Sequence, residues 1–311
     1  MIGSGKDKKN YRKFIMAFIT IITVLLMSEV FLRVFFGFCN AILYREDKDF
    51  EYIAIPQKTK RFGNDIFYNS YSQRNEEISL EDSVIIGGLG DSVINGGATT
   101  DDDSLATTKL GKYLTRRTGK KVKVLNISCQ SWGPSNCLAY LKKYGDFNAK
   151  AMFLVMSSHD VYDNMEFDKV VGANLSYPDK QYKLAISELL ERYVLPRFVS
   201  NSTGKASAGA AGIKRKTSKY IFDPGILDLY RYCKRKNLPF LIYLHADKEE
   251  TENKIYSQEG GLLDSVCKEY QIPLIKELTY DLPVEAYRDN IHLSDIGQEK
   301  MFEILKDKIY H

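Results

Sequence analysis

The stretch Ser83-Val-Ile-Ile-Gly-Gly-Leu-Gly-Asp-Ser-Val93 decides how this chain is read. It is an apolar run that halts abruptly at Gly90-Asp91-Ser92. A short continuous apolar run bounded by turn residues is the pattern of a strand buried on both faces, as in a parallel sheet with helices above and below. Four further runs repeat the pattern: Lys121 to Ile127, Ala151 to Met156, Pro239 to Leu244 and Ile272 to Ile275. Helical periodicity fills the intervals, over Asp103 to Thr118, Pro134 to Tyr144, Lys183 to Phe198, Pro224 to Lys236 and Ser294 to Ile309. The first of these opens on Asp101-Asp102-Asp103, which suits the positive end of a helix, and closes near Arg116, Arg117 and Gly119. Strand alternating with helix predicts an α/β sandwich joined by right-handed crossovers. No internal repeat suggests a solenoid.

Composition narrows the class. Of 311 residues, 44% are hydrophobic and 27% charged, which excludes a disordered or collagen-like chain. The net charge of +4 equals the charge of residues 1–13 alone, where Lys6, Lys8, Lys9, Arg12 and Lys13 face only Asp7. A neutral body with its excess charge in one short tail is not the footprint of a nucleic-acid binder.

That tail runs straight into an apolar stretch, Phe14 to Phe38. As a helix the stretch reaches about 37 Å, enough to cross a hydrocarbon core of about 30 Å with tilt. Only Glu29 and Arg33 interrupt it. Four residues apart with the acid first, they share a helix face and neutralise each other, and Arg33 lies far enough along to snorkel outward. The positive-inside rule then leaves residues 1–13 in the cytoplasm and exports everything after about residue 40. A cleaved signal peptide is the competing reading, but the run is long for one and Cys39-Asn40-Ala41 is a poor cleavage site. Phe36-Gly37-Phe38 before Cys39 does not resemble a lipobox. The expected organisation is a basic tail (1–13), a transmembrane helix (14–38), a juxtamembrane connector without clean periodicity (39–80) and a catalytic-type domain (81–311). Within that domain an insertion spans 165–220 and contains a small, polar, basic loop at about 200–219. Five cysteines, at 39, 129, 137, 233 and 267, carry no metal-ligand spacing. Export permits Cys129–Cys137 or Cys233–Cys267 bridges, but scattered buried thiols are the favoured expectation.

Two places carry chemistry. Ser92 follows the first strand, so it lies at the carboxyl edge of the sheet, where open α/β folds place their ligands. Gly-Asp-Ser alone is an ordinary turn. Near the other end of the chain stands Asp289-Asn290-Ile291-His292, followed by Leu293-Ser294-Asp295 and a helix. An Asp three residues before a His holds one imidazole nitrogen as N–H while the other faces a nucleophile. Only four histidines exist, at 159, 245, 292 and 311, so one in this spacing stands out.

With these blocks in hand the chain resembles the SGNH hydrolases of the GDSL esterase and lipase superfamily, over most of residues 83–310. The specific matches are confined to four blocks. The resemblance implies a three-layer α/β/α, flavodoxin-like sandwich with a five-stranded parallel sheet. It also implies Ser92 as nucleophile, His292 as general base and then acid, Asp289 as the orienting carboxylate, and no metal or organic cofactor. The family's second block, usually N-x-G-x-x-G-x-G, corresponds to Asn126-Ile-Ser-Cys-Gln-Ser-Trp-Gly133. There the oxyanion-hole glycine falls nearest Ser131, with Ser128 and Gly133 as alternatives, and a main-chain N–H serves equally from any residue type. The third block departs from the pattern. Met156-Ser157-Ser158-His159-Asp160 carries His159 where the family supplies an oxyanion-binding Asn. An imidazole N–H still donates to a developing oxyanion.

Asp91 and Asn164 are expected on the substrate side of the same site. His245, after the fourth strand, is expected either to contact substrate beside Asp247 or to be an ordinary surface-loop histidine. Trp132 offers a sugar-stacking face or, more commonly for a lone Trp, a core residue. The function implied is an exported, membrane-anchored serine esterase or O-acyltransferase, acting on acyl and foremost acetyl esters of an envelope or secreted polysaccharide. Its partners would be that acylated glycan, the bilayer and a polysaccharide-biosynthesis complex. A lipid-directed esterase and a non-catalytic glycan-binding protein on the same scaffold are the alternatives.

Overall fold

A computed structural model describes residues 5–79, 81–198 and 221–309. The basic loop expected at about 200–219 lies outside the described residues. In chain order the structure has helix α1 (Gly5–Phe36), short strands β1 (Tyr44–Asp47), β2 (Glu51–Ala54), β3 (Gln57–Arg61) and β4 (Asn64–Tyr68), and then the alternating α/β part. The latter comprises β5 (Val84–Gly90), α2 (Ser92–Asn95), α3 (Ala106–Thr118), β6 (Val122–Ser128), α4 (Pro134–Tyr144), β7 (Ala151–Ser157), α5 (Ala185–Leu189) and α6 (Gly225–Arg235). It ends with β8 (Phe240–His245), α7 (Lys248–Asn253), α8 (Gln258–Tyr270), β9 (Leu274–Lys276) and α9 (Asp295–Lys306). Contacts divide the described residues into two bodies, one of 5–41, 61–63 and 180–198, the other holding the remainder.

In the larger body all five expected strands form one parallel sheet in the order β6-β5-β7-β8-β9. Its two faces are read directly from β7. Met152, Leu154 and Met156 point into one core with Leu138 and Leu141 of α4, Leu229 of α6 and Leu263 of α8. Phe153 and Val155 point into the other, with Leu110 and Leu114 of α3 and Met301 and Leu305 of α9. Strands apolar on both sides therefore have helices on both sides, a three-layer α/β/α sandwich. The cysteines are all free and, apart from half-buried Cys39, buried. Burial pushes the thiols of Cys129, Cys233 and Cys267 up to about 12, so they behave as small apolar groups.

The stretch 39–80, read from the sequence as a connector that packs onto the domain, carries regular structure that its periodicity did not announce. It folds into two hairpins, β1–β2 and β3–β4. All four strands are only four or five residues long; β1, β3 and β4 carry charged residues on the outward side, while β2 is buried throughout, so no long apolar run marks them. Glu51 of β2 ties the hairpin to the body: its carboxylate accepts from Asn136 of α4 and from the backbone N–H groups of Glu166 and Phe167. Trp132 is core, packed edge-on against Phe50, with Nε1 donating to the Tyr52 carbonyl at 2.9 Å.

Arg74, after the hairpins, is fully buried. Its guanidinium donates to the carbonyls of Gly97 (2.6 Å) and Thr100 (2.8 Å) and to Asp102 (2.6 Å). Burial raises the Asp102 carboxyl and Arg74 works against that. Removing the guanidinium strands a carboxylate and several carbonyls, a loss of about 3 kcal/mol or more. Arg74→Met should therefore lower the thermal unfolding midpoint of the detergent-solubilised protein by several degrees, whereas Lys60→Met, at an exposed ion pair with Asp65, should leave it nearly unchanged.

Candidate active site

Strand β5 ends at Gly90, whose φ of +156° and lack of a side chain let the chain pass the Val155 carbonyl of β7. A Cβ there would lie 2.5 Å from that oxygen. The chain turns at once into the single-turn helix α2. Asp91, 3% exposed, caps it by accepting from Val93 N–H at 2.9 Å. Ser92 is thus the first helical residue at the carboxyl edge of the sheet.

The segment 284–294 comes to meet it. A bridge between Tyr287 and Leu293 and the bond from Arg288 N–H to the His292 carbonyl (2.8 Å) fold the intervening residues into a tight loop. Within it Asp289 Oδ1 accepts from the main-chain N–H groups of Ile291 (3.0 Å) and His292 (2.8 Å), and Oδ2 faces His292 Nδ1 at 2.7 Å. His292 Nε2 lies 3.0 Å from Ser92 Oγ. Desolvation pushes the Asp289 carboxyl up, but these three N–H donors together hold it well below the usual carboxylate range. An ionised Asp289 fixes the tautomer: Nδ1 carries the proton and Nε2 presents its lone pair to the serine hydroxyl.

The other expected residues are placed as follows. Ser131 adopts a left-handed backbone with φ of +55°, a conformation in which glycine is at ease, and its Oγ accepts from Tyr177. Ser128 bonds Asn126 and Asn95, linking β6 to α2 rather than offering a free group. Gly133 is a packing position: a Cβ there would lie 2.0 Å from the Asp163 carbonyl. Asn164 spends its amide on the carbonyls of Ile221 (2.7 Å) and Tyr162 (3.3 Å). His159 is exposed, with Nε2 3.2 Å from Asp160 Oδ1. Side-chain atoms of Asp91, His159 and Asp160 lie within 4.8 Å of one another, so the imidazole stands beside the residue preceding Ser92.

His245 corrects both expectations held for it. It neither lines a substrate site nor sits on the surface, for it is completely buried at the end of β8. Nδ1 is 2.7 Å from Glu277 Oε2 and Nε2 is 2.8 Å from the carbonyl of Ile291, the residue before His292. Both neighbours are acceptors, which favours the ring with a proton on each nitrogen. Burial opposes that charge, yet Glu277 and the Ile291 carbonyl outweigh it and raise His245 to about 9. Glu277 in turn accepts from Tyr243 Oη (2.6 Å) and Ala246 N–H (2.9 Å).

Gln298 is a second residue the sequence did not announce. Buried in α9, it donates to the Val93 carbonyl (2.8 Å) and accepts from Ala106 N–H (3.0 Å), joining α9 to α2 and to the start of α3. Nothing in its surroundings in the sequence distinguishes it from a surface glutamine.

No protein-family model and no curated protein matches the chain. Among solved structures it is similar to an acetyl xylan esterase, AlAXEase, at 13% identity and a TM-score of 0.45, over 73% of this chain and 100% of that one. It is similar to TesA at 12% identity and a TM-score of 0.45, over 73% and 98%. A member of the lipolytic protein G-D-S-L family from Veillonella parvula aligns at 9% identity and a TM-score of 0.43, over 73% and 98%.

The buried pair yields a pH prediction. His245 is raised from about 6.5 in the unfolded chain to about 9 in the folded one, so its contribution is complete below about 6.5 and is lost as pH rises through about 9. Unfolding midpoints of the wild-type protein should fall more steeply between pH 6.5 and 9 than those of His245→Gln. Parallel curves would show that His245 carries no folded-state charge.

Proposed function

We propose that this protein is a serine esterase or O-acyltransferase in which Ser92, His292 and Asp289 form the catalytic relay. The observation carrying the proposal is the unbroken line from Ser92 Oγ through His292 to an Asp289 held by two further N–H groups. Ser92 Oγ attacks the ester carbonyl carbon as His292 Nε2 takes its proton. The tetrahedral intermediate collapses, and the same proton passes to the departing alcohol. Water or a sugar hydroxyl then attacks the acyl-serine carbonyl as His292 takes its proton, and the acyl–Oγ bond breaks as that proton passes to Ser92 Oγ. The chemistry calls for no group beyond the chain's own side chains and main-chain donors.

For the oxyanion we assign the main-chain N–H at Ser131, in its left-handed turn, together with His159. Because His159 Nε2 faces Asp160, the ring must turn from that carboxylate or carry a second proton to donate to substrate. The substrate class we favour is an O-acetyl ester of an envelope or secreted polysaccharide. It rests on the motif resemblance together with export by helix α1. Residues 9–36 of that helix are apolar enough to cross a membrane, and a signal sequence meets the same test. We read the helix as an uncleaved anchor with the catalytic body outside the cytoplasm.

Ser92→Ala and His292→Ala should each reduce turnover at least about a thousandfold while leaving the unfolding midpoint intact. Fluorophosphonate should label the wild type and not Ser92→Ala; an unchanged esterase rate in Ser92→Ala would overturn the assignment. Release of acetate from an acetylated polysaccharide, set against cleavage of long-chain esters, tests the substrate class.

His159→Asn should keep most of the activity, because an amide donor replaces the imidazole. His159→Ala should lower kcat by roughly a hundredfold or more with little change in KM, as for other lost oxyanion donors. Turnover within threefold of wild type, measured per folded enzyme, would leave His159 only as a partner of Asp160.

A further inference from the structure

The smaller body makes a prediction about the bilayer that helix α1 alone does not. Glu29 and Arg33 pair as expected, with Nε donating to Oε1 at 2.7 Å. Yet the pair does not merely neutralise itself. Glu29 also accepts from the backbone N–H groups of Ala185 (2.8 Å) and Ile186 (3.1 Å), the first residues of α5, and Arg33 donates to the Lys183 carbonyl at 2.6 Å. An acid and a base on one turn of α1 therefore satisfy both the N–H groups opening α5 and the carbonyl just before it. One turn further along, the buried Glu188 accepts from Arg61 (2.5 Å), from Cys39 N–H (2.6 Å) and from Arg192 (3.2 Å). Residues 183–192 are clamped to the last turns of α1 and to the residues that leave it.

The clamp fixes a depth. Counting from Lys13, the last basic residue of the tail, Glu29 is about 24 Å and Arg33 about 30 Å along the helix axis. The hydrocarbon core is about 30 Å thick. The start of α5 is thereby held at the outer hydrocarbon boundary, where unsatisfied N–H groups and lone charges are costly and where the Glu29–Arg33 clamp satisfies both.

What α5 and its continuation present there is apolar. A π turn over Leu190–Val194 closes with Leu195 N–H on the Leu190 carbonyl. Its i→i+5 spacing brings Leu190 and Leu195 to one side, and Phe198 follows one helical turn on. These three are 44%, 53% and 70% exposed, and Leu184 just before the helix is 55% exposed. Such a run is out of place in water but at home among acyl chains, with Lys183 and Arg197 exposed for the headgroups.

We infer that residues 183–198 form a second membrane contact, an interfacial helix lying in the outer leaflet with Leu190, Leu195 and Phe198 among the upper acyl chains and held at that depth by Glu29 and Arg33. The inference rests on reading α1 as an uncleaved transmembrane anchor.

The test uses the full chain in phosphatidylcholine–phosphatidylglycerol vesicles, in a Cys39→Ser background, with an environment-sensitive fluorophore on Leu195→Cys, on Phe198→Cys, on Leu25→Cys as the anchor control, or on Lys254→Cys as the water control. Quenchers are carried either near the headgroup or at mid-chain of the lipid. Leu195→Cys and Phe198→Cys should show blue-shifted emission and lose most of it to the shallow quencher, and Leu25→Cys should lose it to the deep one. Adding Glu29→Leu should weaken shallow quenching at Phe198→Cys and leave Leu25→Cys unchanged. Water-like emission at both 195 and 198, alongside deep quenching at 25, would overturn the inference and leave the anchor standing. Absence of quenching at 25 would overturn the anchor reading and this inference with it.

Discussion

The geometry of the site depends on an atom that Gly90 does not have. Strand β5 runs between β6 and β7, and at its end the main chain must pass the Val155 carbonyl at a distance no Cβ tolerates. Because it passes there, Asp91 is placed to cap α2 and Ser92 emerges at the first helical position. A side chain at residue 90 would push β5 away from β7 and lift the serine from a histidine 200 residues distant in sequence. The glycine works through backbone conformation and close approach, the two properties only it supplies.

Around that turn the fold places its charges where water does not reach. Arg74 holds the loop that follows α2, and His245 with Glu277 holds the loop that carries His292. Replacing such pairs by well-packed apolar groups often costs nothing, so their presence is not explained by stability alone. What they supply is direction. A guanidinium fork or an imidazolium fixes carbonyls at set positions, which packing of leucine against leucine does not do. Gln298 does the same from α9, with one side chain reaching both α2 and the start of α3.

These elements mark the limits of what the sequence discloses. The five sheet strands were legible because each is buried on both faces and so reads as an unbroken apolar run, and the pairing of Asp289 with His292 because its spacing is local. The hairpins over 44–68 were not, because strands of four or five residues, three of them with charged outward positions, are too short to show a periodicity. His245 was misplaced for a different reason. Its position after a strand was correctly read as the carboxyl edge of the sheet, but its burial depends on Glu277 and Ile291, brought there by chain folding. The reach of Glu29 and Arg33 to residues 183–186, some 150 positions away, is equally invisible in a helix whose own spacing already explains the pair.

Asp289 shows how far local chemistry goes once tertiary structure has set the stage. One carboxylate oxygen is spent on two main-chain N–H groups and the other on the imidazole. The first pair shapes the loop and the second selects the tautomer, and an ionised carboxylate performs both because each oxygen is an acceptor. An amide in its place would have one acceptor for two tasks. If its oxygen kept the main-chain bonds, its NH2 would face Nδ1 and favour the ring with its proton on Nε2, so that no lone pair is turned towards Ser92. If instead its oxygen took the ring, the NH2 would confront two N–H donors and the loop would open. The depressed carboxyl of Asp289 and the orientation of His292 are therefore one property of a four-residue turn, and that turn is held from outside by His245 on the Ile291 carbonyl and Lys248 N–H on the Asn290 carbonyl.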